Sequence, residues 1–253
     1  MSLERSEAVD VSNALALKGA RIMVTGAAGG IGSAVCHLLG RLGASVAVCD
    51  VASPEAVTVG IREDGGAATS HQFDVTDRRA VIAARQAIGD VDAVVLGAGI
   101  NPYADWHTDA WDEAFRSTMD VNILGAVNVV REMTPALAKS RAGRVVLIGS
   151  LVAANGGSGP HVPADYVISK GGIHALVRWF ARRLAPDILV NAVAPGLTRT
   201  RMTAKGTFDM SRNPIARMAE PPEIAWPIAF LCSPRASFMC GAVIDVNGGA
   251  IMR

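Results

Sequence analysis

Residues 21–32 read RIMVTGAAGGIG, a short apolar run that leads directly into a cluster of glycines. Apolar residues then recur at Ile31, Val35, Leu38 and Leu42, which is the spacing of a helix with one buried face. Glycines between a strand and a helix let the backbone turn sharply and approach a diphosphate, whose charge is stabilised at the helix N-terminus. The stretch therefore predicts a strand, a phosphate-binding turn and a helix in succession.

The glycines have the spacing Gly-x-x-x-Gly-x-Gly, and not the Gly-x-Gly-x-x-Gly of the general dinucleotide fingerprint. A tight structural turn is the alternative interpretation of such a pattern. No Gly-Lys-Ser or Gly-Lys-Thr follows, which disfavours a P-loop phosphotransferase. The candidate cofactor-binding residues of this turn are Gly26, Gly30, Ile31 and Gly32.

Asp50 ends the second predicted strand and is the candidate that selects the cofactor. A carboxylate at this place can hydrogen-bond the ribose hydroxyls of an adenosine and would repel a 2′-phosphate. The neighbouring Ala27, Ala28 and Val51 supply no cation that would accept such a phosphate. We therefore expect NAD(H) in preference to NADP(H), with a simple strand-end cap as the alternative role of Asp50.

Strands and helices are predicted to alternate along the whole chain. The predicted strands are 21–25, 45–49, 69–73, 91–96, 144–148, 188–193 and 243–246. After the first helix, the predicted helices cover about 77–88, 109–138, 164–184 and 222–232. This alternation implies right-handed crossovers and a doubly wound, Rossmann-type parallel sheet of about seven strands in three α/β/α layers. We expect a flexible leader at residues 1–16 and a single NAD-binding catalytic domain at 17–253.

The charge and hydropathy of the chain argue against two classes of protein. The 253 residues include 24 Lys and Arg against 23 Asp and Glu, without the basic surplus of a nucleic-acid binder. Half of the residues are apolar and the mean hydropathy is +0.31. No stretch, however, approaches the roughly 18 uncharged apolar residues of a membrane-spanning helix. A parallel sheet that is buried on both faces explains the apolar excess instead.

The cysteines predict neither a metal site nor a disulfide framework. Cys36, Cys49, Cys232 and Cys240 show no Cys-x-x-Cys spacing and no paired spacing with histidines. A reducing compartment is the default for such a chain, so we expect a cytoplasmic protein.

Tyr166 and Lys170 form the candidate catalytic pair, because residues four apart project from the same face of a helix. A free tyrosine has a pKa of about 10 and is a poor base at neutral pH. An ammonium about 5 Å away should lower that pKa by about 2 units at an effective dielectric constant of about 20. Tyr166 would then be suited to general acid–base catalysis. A Tyr-x-x-x-Lys pair on a helix surface is the alternative.

Together, these residues resemble the short-chain dehydrogenase/reductase family in its single-domain form of about this length. The resemblance rests on the glycine-rich turn followed by Tyr166-Val167-Ile168-Ser169-Lys170, and it extends from Leu17 to Gly249. Further motifs of the resemblance are Asp74-Val75, Val121-Asn122, Gly149-Ser150, Asn191-Ala192-Val193-Ala194-Pro195-Gly196 and Asp245-Val246-Asn247-Gly248-Gly249.

The resemblance implies a role for each matching residue. Ser150 would bind the substrate oxygen, Tyr166 would transfer the proton, and Asn122 would support a water chain to Lys170. Lys170 would also hold the nicotinamide ribose. The remaining implied cofactor contacts are Asp74 and Val75 at the adenine, Gly99 beside the cofactor, and Pro195, Gly196, Thr198 and Thr200 at the carboxamide. A homo-oligomer, a dimer or homotetramer formed through the helix of Tyr166, is also implied.

Three features depart from the family pattern. Residues 96–99 read LGAG where Asn-Asn-Ala-Gly is frequent, so a side-chain hydrogen bond within the sheet should be lost. Ser150 lies 16 positions before Tyr166 where about 13 is usual, which makes Ser158 the alternative. Gly171 and Gly172 lie inside the predicted catalytic helix, where each costs about 1 kcal/mol relative to Ala unless another helix packs closely there.

The sequence therefore predicts an NAD(H)-dependent oxidoreductase that interconverts a secondary alcohol and a ketone, with a small-molecule substrate and without a metal. A 3-oxoacyl-thioester reductase of the acyl-carrier-protein type is the alternative enzyme, although Asp50 counts against its usual NADPH. A non-catalytic dinucleotide-binding regulator is the alternative from another class. Such regulators tend to lose the tyrosine or the lysine, and both are present here.

Overall fold

In the computed structural model, which describes residue 15 and residues 17–157, 162–204 and 206–252, seven parallel strands form one sheet. The order across the sheet is β3-β2-β1-β4-β5-β6-β7, and every strand pair is parallel. The strands are β1 (Arg21–Thr25), β2 (Ser45–Asp50), β3 (Ala67–Gln72), β4 (Ala93–Leu96), β5 (Gly143–Ile148), β6 (Ile188–Pro195) and β7 (Val243–Val246).

Helices connect the strands, so the predicted alternation is confirmed. They are α1 (Gly30–Arg41), α2 (Glu55–Glu63), α3 (Arg78–Ile88), α4 (Ala110–Met119), α5 (Gly125–Leu137), α6 (Val152–Asn155), α7 (Ala164–Leu184) and α8 (Pro221–Cys232). A π-helical turn, Asp120–Leu124, joins α4 to α5 without a break. Two short 3₁₀ turns cover Arg201–Thr203 and Pro234–Ala236.

Both faces of the sheet are buried, as the apolar composition predicts. On β5, Val146 and Ile148 point into a core with α1 and α8, whereas Val145 and Leu147 point into a second core with α3, α5 and α7. Side chains alternate across a strand, so a strand that is buried on both faces needs a continuous apolar run. The three-layer, doubly wound fold expected from the sequence is confirmed.

The sequence patterns misplace some element boundaries. Helix α2 (Glu55–Glu63) was not predicted, and the expected helix at about 109–138 is divided by the π-helical turn. Of the expected leader at residues 1–16, only Leu15 lies among the described residues, and it packs against the core that contains α1 and α8. None of the helices in the described part of the chain is long and apolar enough to cross a membrane.

The topology brings the ends of several strands to one edge. Strand β1 pairs with both β2 and β4, so the strand order reverses between β1 and β4. Ligands of open parallel sheets bind at the carboxyl edge beside such a reversal. The residues that end the strands there are Thr25, Asp50, Leu96, Ile148 and Pro195.

Candidate active site

The glycine-rich turn is packed so tightly that side chains would not fit at three of its positions. Gly26 has φ +66°, and a Cβ there would collide with the carbonyl oxygen of Gly97. A Cβ at Gly32 would meet the carbonyl oxygen of Gly26, and one at Gly30 would lie 2.5 Å from Cγ2 of Thr200. Gly29, the N-cap residue of α1, makes no side-chain capping hydrogen bond. Its first backbone N–H groups are therefore suited to an anion.

Each carboxylate oxygen of Asp50 accepts a hydrogen bond from a backbone amide. Its Oδ2 accepts a hydrogen bond from the Ala28 amide at 2.9 Å, and its Oδ1 accepts one from the Ala52 amide at 3.0 Å. The strand-end capping role that the sequence left open is thus present. A carboxylate has about four acceptor sites, so capacity for further donors remains at the edge of the turn.

Thr25 links β1 to β4 where the LGAG segment follows β4. Its hydroxyl donates to the carbonyl of Val95 at 3.4 Å and accepts from the amide of Ala98 at 3.4 Å. The amide of Gly97 donates to the carbonyl of Thr25 at 3.1 Å. The Thr25 side chain therefore links β1 to the LGAG segment, where the sequence predicts the loss of a side-chain hydrogen bond.

Ser150, Tyr166 and Lys170 come together beyond the end of β5. Ser150 follows that strand and is buried, while Tyr166 lies in the first turn of α7. The hydroxyl of Ser150 is near enough to that of Tyr166 to act on its pKa as a hydrogen-bond partner. Nζ of Lys170 lies 5.7 Å from the centre of the Tyr166 ring and donates to the carbonyl of Ile148 at 2.9 Å. The three side chains form a compact polar group at the carboxyl edge of the sheet.

Burial is the largest influence on both ionisable groups of this set. It raises the pKa of Tyr166, and the hydrogen bond with Ser150 opposes that shift. Burial also lowers the pKa of Lys170 to about 8. The predicted net lowering of the tyrosine pKa is therefore wrong for this arrangement, because burial outweighs the effect of the neighbouring charge. The physical reason is that the loss of hydration disfavours the phenolate and the ammonium alike.

Asn122 lies in the π-helical turn and is almost fully buried. Its Oδ1 accepts from the amide of Ile100 at 2.8 Å, and its Nδ2 donates to the carbonyl of Ile100 and to Oγ of Ser169, both at 3.0 Å. A Cβ at Gly99 would lie 3.3 Å from Oδ1 of Asn122 and 3.7 Å from Nζ of Lys170. Gly99, Asn122 and Lys170 are therefore neighbours, and the water chain between the last two stays a prediction.

The Asp74–Val75 segment is held from α5 by a residue that the sequence analysis missed. Nδ2 of Asn128 donates to the carbonyls of Val75 at 3.0 Å and Thr76 at 3.3 Å. Val75 is buried against Gly125, whereas Asp74 is exposed and accepts from the Thr76 amide at 2.8 Å. The signal that could have identified Asn128 is a polar residue on the apolar face of a helix.

The loop after β6 lies beside the glycine-rich turn. The amide of Gly196 donates to the carbonyl of Val246 at 2.9 Å, which continues the pairing of Pro195 with β7. The hydroxyl of Thr198, a buried residue, donates to the carbonyl of Gly196 at 3.0 Å. Thr200 contacts Gly30, so this loop and the turn border the same space.

Close packing was expected at both glycines of α7, Gly171 and Gly172, and the structure shows it at Gly172. A Cβ at Gly172 would lie 2.8 Å from Cδ1 of Ile123, so close packing within the chain accounts for this glycine. A Cβ at Gly171 would meet nothing within 4 Å.

Ser158, the alternative to Ser150, lies outside the described residues. Among the side chains that are described, no group of three or more His, Cys, Asp or Glu is placed to hold a metal ion.

An open parallel sheet with a glycine-rich turn at its point of reversal, and a Ser–Tyr–Lys group at the same edge, is the arrangement of a dinucleotide-dependent oxidoreductase. Comparison with known proteins agrees with this class. A family model described as Enoyl-(Acyl carrier protein) reductase matches residues 26–250. The chain belongs to the short-chain dehydrogenase/reductase family and is an oxidoreductase acting on CH–OH groups with a nicotinamide dinucleotide.

Three relatives illustrate the range of the family around this chain. It is 33% identical over 251 residues to a 3-oxoacyl-(acyl-carrier-protein) reductase of Thermotoga maritima, covering 93% of this chain and 99% of that protein. It is 35% identical over 239 residues to cis-4-hydroxycyclohexanecarboxylate dehydrogenase of Sinomonas cyclohexanicum, covering 90% and 94%. A 3-oxoacyl-(acyl-carrier-protein) reductase of Brucella melitensis, crystallised with bound NAD, superposes with a TM-score of 0.85 at 30% identity, covering 100% of this chain and 99% of that one.

Proposed function

We propose that this protein is an NAD(H)-dependent oxidoreductase that interconverts a secondary alcohol and a ketone, with Tyr166 as the general acid and base. The observation that carries the proposal is that Ser150 and Tyr166 lie together at the carboxyl edge of the sheet, with Nζ of Lys170 5.7 Å from the centre of the Tyr166 ring. A hydroxyl pair of this kind can bind one oxygen atom of a substrate from two sides. The nearby ammonium favours negative charge on that oxygen.

The residues around the turn fit a bound dinucleotide. The backbone of Gly26, Gly30, Ile31 and Gly32 would hold the diphosphate, because a Cβ would not fit at the three glycines and Gly29, the N-cap residue of α1, makes no side-chain capping bond. When bound, the nicotinamide gives or takes the hydride. The further proposed contacts are Asp74, Val75 and Gly99, then Tyr166 and Lys170 at the nicotinamide ribose, and Pro195, Gly196, Thr198 and Thr200 at the carboxamide.

Asp50 supports NAD(H) as the cofactor. Its carboxylate lies against the amide of Ala28, at the border of the turn. Further acceptor capacity there suits the two hydroxyls of an unmodified ribose, and its charge disfavours a 2′-phosphate. The Brucella relative that was crystallised with NAD is consistent with this choice.

The chain's own side chains then have separate tasks in the reaction. Ser150 donates a hydrogen bond to the substrate oxygen and holds it beside Tyr166. The hydroxyl of Tyr166 gives its proton to that oxygen during ketone reduction, or takes one from it during alcohol oxidation. Lys170 stabilises the phenolate that forms, and Asn122 supports the water that returns a proton to Lys170.

A 3-oxoacyl-thioester reductase is the second candidate, favoured by the names of several relatives. A screen by NADH absorbance separates the candidates. It would offer secondary alcohols, sugars and cis-4-hydroxycyclohexanecarboxylate with NAD⁺, and acetoacetyl thioesters with NADH or NADPH. We expect turnover of a non-thioester alcohol with NAD⁺. Turnover of the thioester alone, with a preference for NADPH, would favour the second candidate. NADH binding without any turnover would favour a non-catalytic regulator.

We further propose that residues 17–253 form the catalytic domain of a cytoplasmic homotetramer. Leu124, Ile168 and Trp179 are exposed apolar side chains on α7 and the adjoining π-helical turn, and Gly171 has open space beside it. A second copy of the chain would cover this surface. Sedimentation should give the mass of four chains for the native protein and a lower mass for Ile168→Glu. A native monomer would contradict the proposal.

A further inference from the structure

Two hydrogen bonds join the helical segment 110–124 to α7 with the same offset along the chain. The hydroxyl of Thr118 donates to Oδ2 of Asp165 at 2.6 Å, and Nδ2 of Asn122 donates to Oγ of Ser169 at 3.0 Å. Both pairs are 47 residues apart, so the two segments run parallel and the bonds lie one turn from each other. The second bond belongs to the candidate site, whereas the first has no role in the mechanism above.

The Thr118–Asp165 pair is completely enclosed. Both residues are 0% exposed. Within the described part of the chain, Oδ1 of Asp165 has no hydrogen-bond partner. The other carboxylate oxygen, Oδ2, accepts its hydrogen bond from the hydroxyl of Thr118. A buried carboxylate is costly unless it is hydrogen-bonded. The Thr118 hydroxyl is therefore the contact that stabilises the enclosed Asp165 carboxylate.

Asp165 directly precedes Tyr166 in the first turn of α7. Pro163, at the N-cap position, makes no side-chain capping hydrogen bond, and its carbonyl accepts one backbone bond from the Val167 amide at 3.1 Å. The end of a helix is its most easily displaced part. A fixed attachment one residue before Tyr166 therefore restrains the backbone that carries the phenol.

We infer that Thr118 and Asp165 are positioning residues, which hold Tyr166 at the place on α7 where its hydroxyl can reach both Ser150 and the substrate oxygen. This inference rests on the proposed role of Tyr166. Displacement of a reacting group by about 1 Å can cost a factor of about 100 in rate. Loss of the pair should therefore lower kcat while leaving KM and NADH binding nearly unchanged.

The test compares Thr118→Val, which removes the hydroxyl at constant shape, with Thr118→Ser, which retains it. Thr58→Val is the matched control, because Thr58 is also 0% exposed and its hydroxyl donates to the carbonyl of Pro54 at 3.1 Å on α2. The substrate is the compound turned over fastest in the screen above. We expect kcat to fall at least tenfold in Thr118→Val, with KM and the NADH Kd within twofold. The variants Thr118→Ser and Thr58→Val should each keep nearly the native kcat.

A second measurement needs no substrate. Tyr166 and Tyr103 are the two tyrosines of the chain, so Tyr103→Phe leaves one ring signal in a carbon-13 tyrosine NMR spectrum. In that background Thr118→Val should move or broaden the Tyr166 signal at pH 7.5, and Thr58→Val should not.

A double variant separates positioning from folding. In Thr118→Val/Asp165→Leu the buried carboxylate is replaced together with its donor, which can restore stability. We expect recovered melting temperature but low kcat. An unchanged kcat and NMR signal in Thr118→Val, or full kcat in the double variant, would overturn the inference. If Tyr166→Phe is itself fully active, the proposed function fails, whatever Thr118→Val does.

Discussion

The amide of Ala28 donates a hydrogen bond to Oδ2 of Asp50 at 2.9 Å, so the residue proposed to select the cofactor also braces the turn that would bind it. Capping and ribose recognition are therefore compatible roles of one carboxylate. Each of its oxygens accepts one backbone amide and has capacity for a further donor. Cofactor preference and the conformation of the turn should accordingly respond together to a change at Asp50.

Asp50→Asn tests the charge while retaining an oxygen that can accept a hydrogen bond. We expect the ratio of the NADPH Kd to the NADH Kd to fall about tenfold, because the repulsion of a 2′-phosphate is removed. Fluorescence titration measures both constants. Asp64→Asn, which removes the same charge beyond the end of α2, is the control and should leave the ratio unchanged. Tighter binding of NADPH than of NADH by the unsubstituted protein would contradict the assignment.

Lys170 gives a prediction for the pH dependence of stability. Burial lowers its pKa from 10.5 to about 8. Between these values the unfolded chain binds a proton that the folded chain has released, so this residue makes the unfolding free energy rise with pH. Relative to Lys170→Met, the native protein should gain about 2 kcal/mol between pH 8 and 9.5.

Urea unfolding of the cofactor-free protein measures this difference. The buried cysteines, whose raised pKa values act in the opposite direction, are common to both proteins and cancel. Lys139→Met is the control, because Lys139 is an exposed lysine paired with Asp90. An equal difference at pH 8 and pH 9.5 would show that Lys170 is not desolvated as the structure indicates.

Gly171 and Gly172 provide a matched pair on α7. In the Ile168→Glu background, which removes the proposed subunit contact, Gly171→Ala adds a methyl group into open space and should stabilise the helix by about 1 kcal/mol. Gly172→Ala should give no gain, because its methyl group would displace Ile123, next to Asn122. Urea unfolding at two protein concentrations is the measurement. Equal stabilisation by both substitutions would contradict the close contact between Gly172 and Ile123.

The fold could be predicted from the sequence because its signals are local. The apolar run at residues 21–25, the glycines that follow it and the helical spacing of Val35 and Leu38 depend on neighbouring residues alone. Helix α2 escaped prediction, since its buried residues are just Thr58 and Ile61. The π-helical turn also gave no periodic signal, because it differs from an α-helix by one residue.

The site was predictable as a set of residues and less so as an arrangement. Tyr166 and Lys170 could be paired from their spacing on one helix, but Lys170 donates to Ile148, which lies 22 positions away. The burial that raises the tyrosine pKa depends on packing by distant segments, so a pairwise Coulomb argument gave the wrong direction. Asn128 and the Thr118–Asp165 pair depend on contacts about 50 residues apart, which one sequence does not reveal.

The most direct test of the account is the turnover of Tyr166→Phe, measured beside Tyr103→Phe. Both substitutions remove one phenolic hydroxyl, and Tyr103 is exposed on the loop before α4. We predict that Tyr166→Phe lowers kcat by a factor of about 100 to 10,000, with the NADH Kd within twofold of the native value, whereas Tyr103→Phe retains full activity. Undiminished turnover by Tyr166→Phe would contradict the assignment of Tyr166 as the proton-transfer group.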